Sequence, residues 1–93
     1  MDELKIFGCN ASKAFAQEVC DNLGLPLGQS ESFKFDNDNR FVKILETVRG
    51  DDVFVIQTST PPVDDNFMEL LITIDALKRA SAKRITAVLQ YYP

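Results

Sequence analysis

An α/β fold is what the 93-residue sequence predicts: a mostly parallel sheet flanked by helices, with one antiparallel hairpin excursion. Three observations carry that expectation. Val53-Phe54-Val55-Ile56 is apolar without interruption and rich in β-branched residues, as in a strand covered on both faces. Phe15, Ala16, Val19, Cys20 and Leu23 recur at helical spacing, and Gly24 follows where a helix end favours a left-handed residue. A second helical pattern runs from about Asp64 to Ala82, so strands and helices alternate as a parallel sheet requires.

Each element then finds its place. Leu4-Lys5-Ile6-Phe7, closed by Gly8, reads as the first strand, and Asn10 or Ser12 is suited to cap the first helix. Leu25-Pro26-Leu27-Gly28 restarts the chain in extended form. Ser30–Phe35 and Phe41–Leu45 read as two strands around the stretch KFDNDNRF, and Val48–Asp52 as a turn. Pro61-Pro62 cannot donate to a ladder and suits the approach to the second helix. Ile85–Leu89 is the last strand.

The totals exclude several chemistries. Ten Lys and Arg against 14 Asp and Glu leave a net charge of -4, which is unsuited to a nucleic-acid surface. Histidine is absent, which removes His-based triads, His-ligated zinc and His proton shuttles. Cys9 and Cys20 have no metal or redox spacing and read as free buried thiols, consistent with a cytoplasmic protein. The acidic start MDELKIFGC does not resemble a signal peptide, and no run is long enough to span a membrane.

Asp36 and Asp38 in KFDNDNRF invite a calcium-loop reading, but Arg40, Phe41 and Thr47 then fall where a ligand, a glycine and a bidentate acid are required. A hairpin tip is the plainer reading, since Asn and Asp tolerate left-handed turns. Gly8-Cys9-Asn10-Ala11-Ser12-Lys13 joins a strand to a helix but lacks the second glycine of a phosphate loop, so helix capping is expected there. In the second helix Phe67, Leu70, Leu71, Ile74 and Leu77 form one apolar stripe, which Met68, Ile72 and Ala76 widen. That breadth fits burial on more than one side, the second side against another subunit or a further domain, or tighter packing within the chain. Lys78, Arg79, Lys83 and Arg84 read as solvated charge at the helix end.

VRGDDVFVIQTSTPPVDDNFMELLITIDALKRASAKRITAVLQYYP, with KIFGCNASKAFAQEV and LGLPLG, closely resembles the N-terminal part of the ribose-phosphate pyrophosphokinases, or phosphoribosyl pyrophosphate synthetases. Asp64-Asp65-Asn66, MELLITIDALKRASAKRI and VRG carry the specificity. The resemblance implies an enzyme of nucleotide biosynthesis that moves the β,γ-diphosphoryl group of ATP to the C1 hydroxyl of ribose 5-phosphate with magnesium. It also implies a phosphoribosyltransferase-like fold, of which this chain is a partial domain, and dimer-based homo-oligomers, hexameric in the family. The family's metal histidine, lid loop and second, ribose-phosphate-binding domain have no counterpart in these 93 residues, so the chain alone is expected to be inactive and to hold neither ATP nor metal by itself.

Two residue sets follow from the resemblance. The family's adenine loop, Phe-Ser-Asp/Asn-x-Glu, reaches across a subunit interface and aligns with Phe35–Asn39. Phe35 is the stacking ring, Asn37 the amide variant, and Asn39 stands where a glutamate is usual. The family's regulatory phosphate/ADP site corresponds to Thr47 (usually Ser), Arg49 and Ser81. Asn39 and the stop at Pro93 keep open an alternative, a non-catalytic paralogue that regulates full-length subunits. An unrelated flavodoxin-like module finds no supporting motif.

Overall fold

A computed structural model gives the architecture and describes residues 3–34, 39–58 and 63–90. The elements are β1 (Leu4–Gly8), α1 (Lys13–Leu23), β2 (Ser30–Lys34), β3 (Arg40–Ile44), β4 (Asp52–Thr58), α2 (Val63–Arg79) and β5 (Arg84–Gln90). The strands β1, β4 and β5 form a parallel sheet with β4 in the middle, and β2 and β3 form a separate antiparallel pair. The predicted fold class is therefore correct.

Central β4 is the strand whose sequence called for cover on both faces. Val53 and Val55 point to one side, into a core with Phe7, Cys9, Val48, Leu70 and Leu77 beneath α2. Phe54 and Ile56 point to the other, with Ile6, Ala16 and Cys20 beneath α1. Alternation along a strand produces this division. Gly8 permits the close seat of α1, because a Cβ there would stand 2.7 Å from the Ala16 Cβ.

Three local expectations are corrected. Ser12 precedes α1 without capping it through its side chain; its hydroxyl turns instead to the buried Gln57 Oε1 at 3.4 Å. Asn10–Ser12 form a 3-10 turn before the helix begins. The second helix stops at Arg79, short of Ala82. There the Ala82 N–H bonds the Leu77 carbonyl at 3.2 Å and Ser81 takes a left-handed conformation, φ 68°. Helix α1 ends the same way, with the Leu25 N–H on the Cys20 carbonyl at 2.9 Å and Gly24 at φ 71°. Both ends have the left-handed stop of a Schellman turn, built once on glycine and once on serine.

The buried side of α2 also differs from the apolar stripe. Leu70 and Leu77 are buried, but so are Asn66, Glu69 and Thr73, while Phe67, Met68 and Leu71 are exposed. Of the buried polar residues, the Glu69 side chain meets a donor outside the helix, the Asn10 N–H, while the Thr73 hydroxyl turns back on the Glu69 carbonyl of its own helix.

Candidate functional site

Strands β1 and β4 end side by side, and the polar atoms gathered there are buried. Gln57, 1% exposed, donates its amide to the Asn66 carbonyl at 2.7 Å and accepts from the Thr58 N–H at 2.8 Å. Glu69, 2% exposed, accepts the Asn10 N–H at 2.8 Å on one carboxylate oxygen. Its other oxygen lies 3.9 Å from an Arg40 guanidinium nitrogen, an ion pair without the geometry of a hydrogen bond. The same nitrogen donates to the Ser32 hydroxyl at 3.0 Å. Across the hairpin, Asn10 reaches the Ser32 carbonyl at 3.3 Å and Lys34 pairs with Asp65 at 3.4 Å. The two strands of the hairpin are thus fastened, next to its tip, onto the carboxyl end of the sheet. In open parallel sheets this is the end where ligands bind.

Cys9 lies beside this network. The Thr73 hydroxyl donates to the Glu69 carbonyl at 2.7 Å, and the Cys9 sulfur sits 3.9 Å from the same hydroxyl. Burial, with the Glu69 charge adding to it, pushes the Cys9 thiol up to about 12. Burial likewise raises the Cys20 thiol. Both therefore stay protonated at neutral pH and are poor nucleophiles. Among the described residues no group of acids, cysteines or histidines is arranged to hold a metal ion.

Of the residues aligned with the adenine loop, Phe35 and Asn37 lie outside the described residues. Asn39 is described: it is exposed and immediately precedes β3. The second predicted set lies at the opposite, amino end of the sheet. Arg49 forms an isolated antiparallel bridge with Ala82, and the Gly50 N–H bonds the Ser81 carbonyl at 3.0 Å. Two residues that are 32 positions apart in sequence (49 and 81) are thereby brought together, both exposed. Thr47 is exposed on the approach to this corner, and its carbonyl accepts from Lys5 at 3.1 Å. A hydrogen bond from Lys5 to Glu46 at 2.6 Å holds that approach and raises the lysine's pKa.

Sequence reasoning missed Glu69, Arg40 and Gln57. The available signal was an acid within an apolar stripe: Asn66, Glu69, Leu70, Thr73 and Leu77 follow helical spacing as closely as the all-apolar set does.

Comparison with known proteins then decides the family. The family model for the N-terminal domain of ribose phosphate pyrophosphokinase matches residues 4–93. The chain belongs to this family. It is 54% identical over 89 residues to a ribose-phosphate pyrophosphokinase of Clostridium tetani, covering 96% of this chain and 28% of that protein. A second, from Deinococcus radiodurans, is 51% identical over 89 residues with the same coverage. The crystal structure of phosphoribosylpyrophosphate synthetase from Mycobacterium smegmatis superposes with a TM-score of 0.92 at 42% identity, covering 99% of this chain and 31% of that one. The chain thus spans less than a third of the length of these ribose-phosphate pyrophosphokinases.

Proposed function

We propose that this ribose-phosphate pyrophosphokinase domain contributes the adenine-holding part of a nucleotide site. The reaction served is transfer of the β,γ-diphosphoryl group of ATP to the C1 hydroxyl of ribose 5-phosphate, which releases AMP. The observation carrying this reading is the fastening of the hairpin root at the carboxyl end of the parallel sheet. Phe35 stacks on the base, worth about 1–3 kcal/mol by analogy with base stacking on aromatic side chains. Asn37 and Asn39 hydrogen-bond its edge. An asparagine at 39 supplies both donor and acceptor but no charge, so the contact is weaker than with a glutamate.

Titration of ATP against the full-length polypeptide tests this. Phe35→Ala is expected to weaken binding at least tenfold and Asn39→Glu to strengthen it; unchanged affinity in Phe35→Ala removes the assignment. The 93 residues alone are proposed to be inactive, and synthesis of phosphoribosyl pyrophosphate by them in a coupled assay contradicts that.

A second ligand site is proposed at the amino end, where Arg49, Ser81 and Thr47 take a phosphate or ADP as a regulatory ligand. The support is the Arg49–Ala82 backbone bridge, which keeps residues 49 and 81 on one corner. Exposed Phe67, Met68 and Leu71 support homo-oligomer formation, as proposed for the family. A monodisperse monomer in light scattering at high concentration opposes it. Asn39 also keeps open the alternative of a regulatory, non-catalytic paralogue. That alternative loses if the full-length polypeptide makes phosphoribosyl pyrophosphate unaided.

A further inference from the structure

The two cations that flank the hairpin tip are cross-strand partners: Lys34 ends β2, Arg40 begins β3, and the two are in register. The acids they meet, Asp65 and Glu69, are four residues apart on α2 and so lie on one face of the helix. Two rungs therefore join the root of the hairpin to α2. They are unequal. Lys34 and Asp65 are 38% and 51% exposed in their side chains, whereas Arg40 and Glu69 are 15% and 2% exposed. Screening makes the outer rung weak, while the inner one is held where charges interact strongly and are costly to separate.

Glu69 does more than pair. Its second oxygen takes the Asn10 N–H, and the Asn10 side chain in turn bonds the β2 carbonyl of Ser32. Arg40 returns to the Ser32 hydroxyl. One buried carboxylate thus ties together three segments: the turn after β1, the hairpin, and the helix that follows β4. None of these contacts involves an atom of the tip itself, so they act on its placement.

We propose that Glu69, acting through Arg40, is a positioning residue for nucleotide binding: it fixes the hairpin against the carboxyl end of the sheet in the orientation that holds the base. This rests on the adenine reading above. Hairpin orientation is then an equilibrium, and loosening the clamp lowers the fraction of molecules competent to bind. If that fraction falls to about a tenth, the apparent Kd rises about tenfold with no contact to ATP removed.

The test uses the full-length polypeptide with Glu69→Gln, Arg40→Gln, Arg40→Lys and Lys34→Gln. Glu69→Gln keeps an acceptor for the Asn10 N–H and removes only the charge. Amide hydrogen exchange over residues 30–44 and the Kd for ATP are read in parallel. Glu69→Gln and Arg40→Gln are expected to speed exchange in the hairpin, leave β4 amides protected, and raise the ATP Kd about tenfold. Under the same change the KM for ribose 5-phosphate stays within twofold, which a general loss of structure does not allow. Arg40→Lys retains the charge and recovers most of the affinity; Lys34→Gln, on the exposed rung, changes it less than twofold.

Hairpin exchange that is identical in all variants overturns the proposal. So does faster exchange accompanied by wild-type ATP affinity, which leaves Glu69 structural only. Should Glu69→Gln fail to fold, Arg40→Gln, whose side chain reaches solvent, carries the same comparison. If the unmodified polypeptide binds no ATP, the adenine reading fails and with it the nucleotide role of the clamp. The exchange data then still decide whether Glu69 holds the hairpin.

Discussion

The two ends of the parallel sheet are built on different principles. At the carboxyl end, side chains do the holding: Glu69 and Gln57 are buried, Arg40 is partly buried, and together with the exposed Asn10 they bond across four segments. At the amino end, beside the Lys5–Glu46 pair and the Asp51 carboxylate that takes the Glu3 N–H, backbone bonds hold the corner that carries Arg49 and Ser81. The Gly50 N–H meets the Ser81 carbonyl, the Lys83 N–H meets the Asp51 carbonyl at 2.9 Å, and Asp51 closes its own turn on Val48 at 3.0 Å. Arg49 and Ser81 are left exposed as a result. Substitution at the carboxyl end therefore disturbs structure and ligand together, whereas at the amino end a ligand group can be removed from a frame that stays in place.

The largest effect is expected at Arg40→Ala. It leaves the Glu69 carboxylate buried without its cation, a loss that costs about 3–5 kcal/mol for a fully buried pair. The pair is 3.9 Å apart and the Asn10 hydrogen bond survives, so about 3 kcal/mol is expected, at the lower end of that range. Urea denaturation monitored by circular dichroism measures it. A change below about 0.5 kcal/mol, as at ordinary surface sites, would put the two ends on the same footing.

Next comes a pH effect centred on Cys9 at the carboxyl end. The buried Cys9 thiol keeps its proton up to about 12 in the folded chain, against an ordinary value of 9.0. Because the folded value is the higher one, the associated stability is fully present below pH 9 and is lost as pH rises through about 12. Stability measured from pH 8 to 11 should fall, and Cys9→Ala should flatten the fall. Lys5, raised by its bond to Glu46, has the same sign but a later onset, above its ordinary 10.5. The onset of the fall therefore separates the two groups.

How far the sequence reaches follows the same division. β4 was legible because a run of β-branched apolar residues has few uses other than a covered strand, and Gly24 marked a helix end through its own backbone freedom. Apolarity alone does not give the inward face of α2, where Phe67 and Leu71 are exposed in the single chain and Glu69 is buried. Glu69 meets the Asn10 amide, 59 positions away in sequence, and the Asn66 carbonyl takes the Gln57 amide. Arg49 and Ser81 stood out by family resemblance alone, since a bridge between a turn and a helix end leaves no periodic trace. Ser81 did carry a local clue that periodicity ignores, a polar residue at a position that favours glycine.

That position yields a smaller effect. Left-handed geometry costs a non-glycine residue about 1–2 kcal/mol, and glycine returns about 0.5–1 kcal/mol of that through its freer unfolded chain. Ser81→Gly should accordingly stabilise the fold by about 0.5–1 kcal/mol, a rise of a few degrees in Tm. If the Ser81 hydroxyl serves the proposed regulatory ligand, the same variant binds ADP more weakly while melting higher. A variant that melts higher and binds ADP unchanged retains the strain argument and removes Ser81 from that site.

The smallest effect on stability, and the sharpest contrast with Arg40, is expected at Arg49→Ala. Arg49 is exposed and held through its backbone bridge to Ala82, which alanine can also form. Stability should stay within about 0.5 kcal/mol of the parent. Binding should not: a guanidinium that forks onto a phosphate contributes charge-assisted hydrogen bonds of about 1.5–3 kcal/mol, so affinity for ADP or inorganic phosphate falls at least about tenfold. Calorimetric titration beside a thermal melt gives both numbers on one sample. Arg49→Lys refines the result, because a lysine keeps the charge but not the fork, and intermediate affinity is the outcome that geometry requires. An Arg49→Ala protein that binds phosphate as before shows that the exposed corner is only a turn, and the contrast between the two ends would then be one of architecture alone.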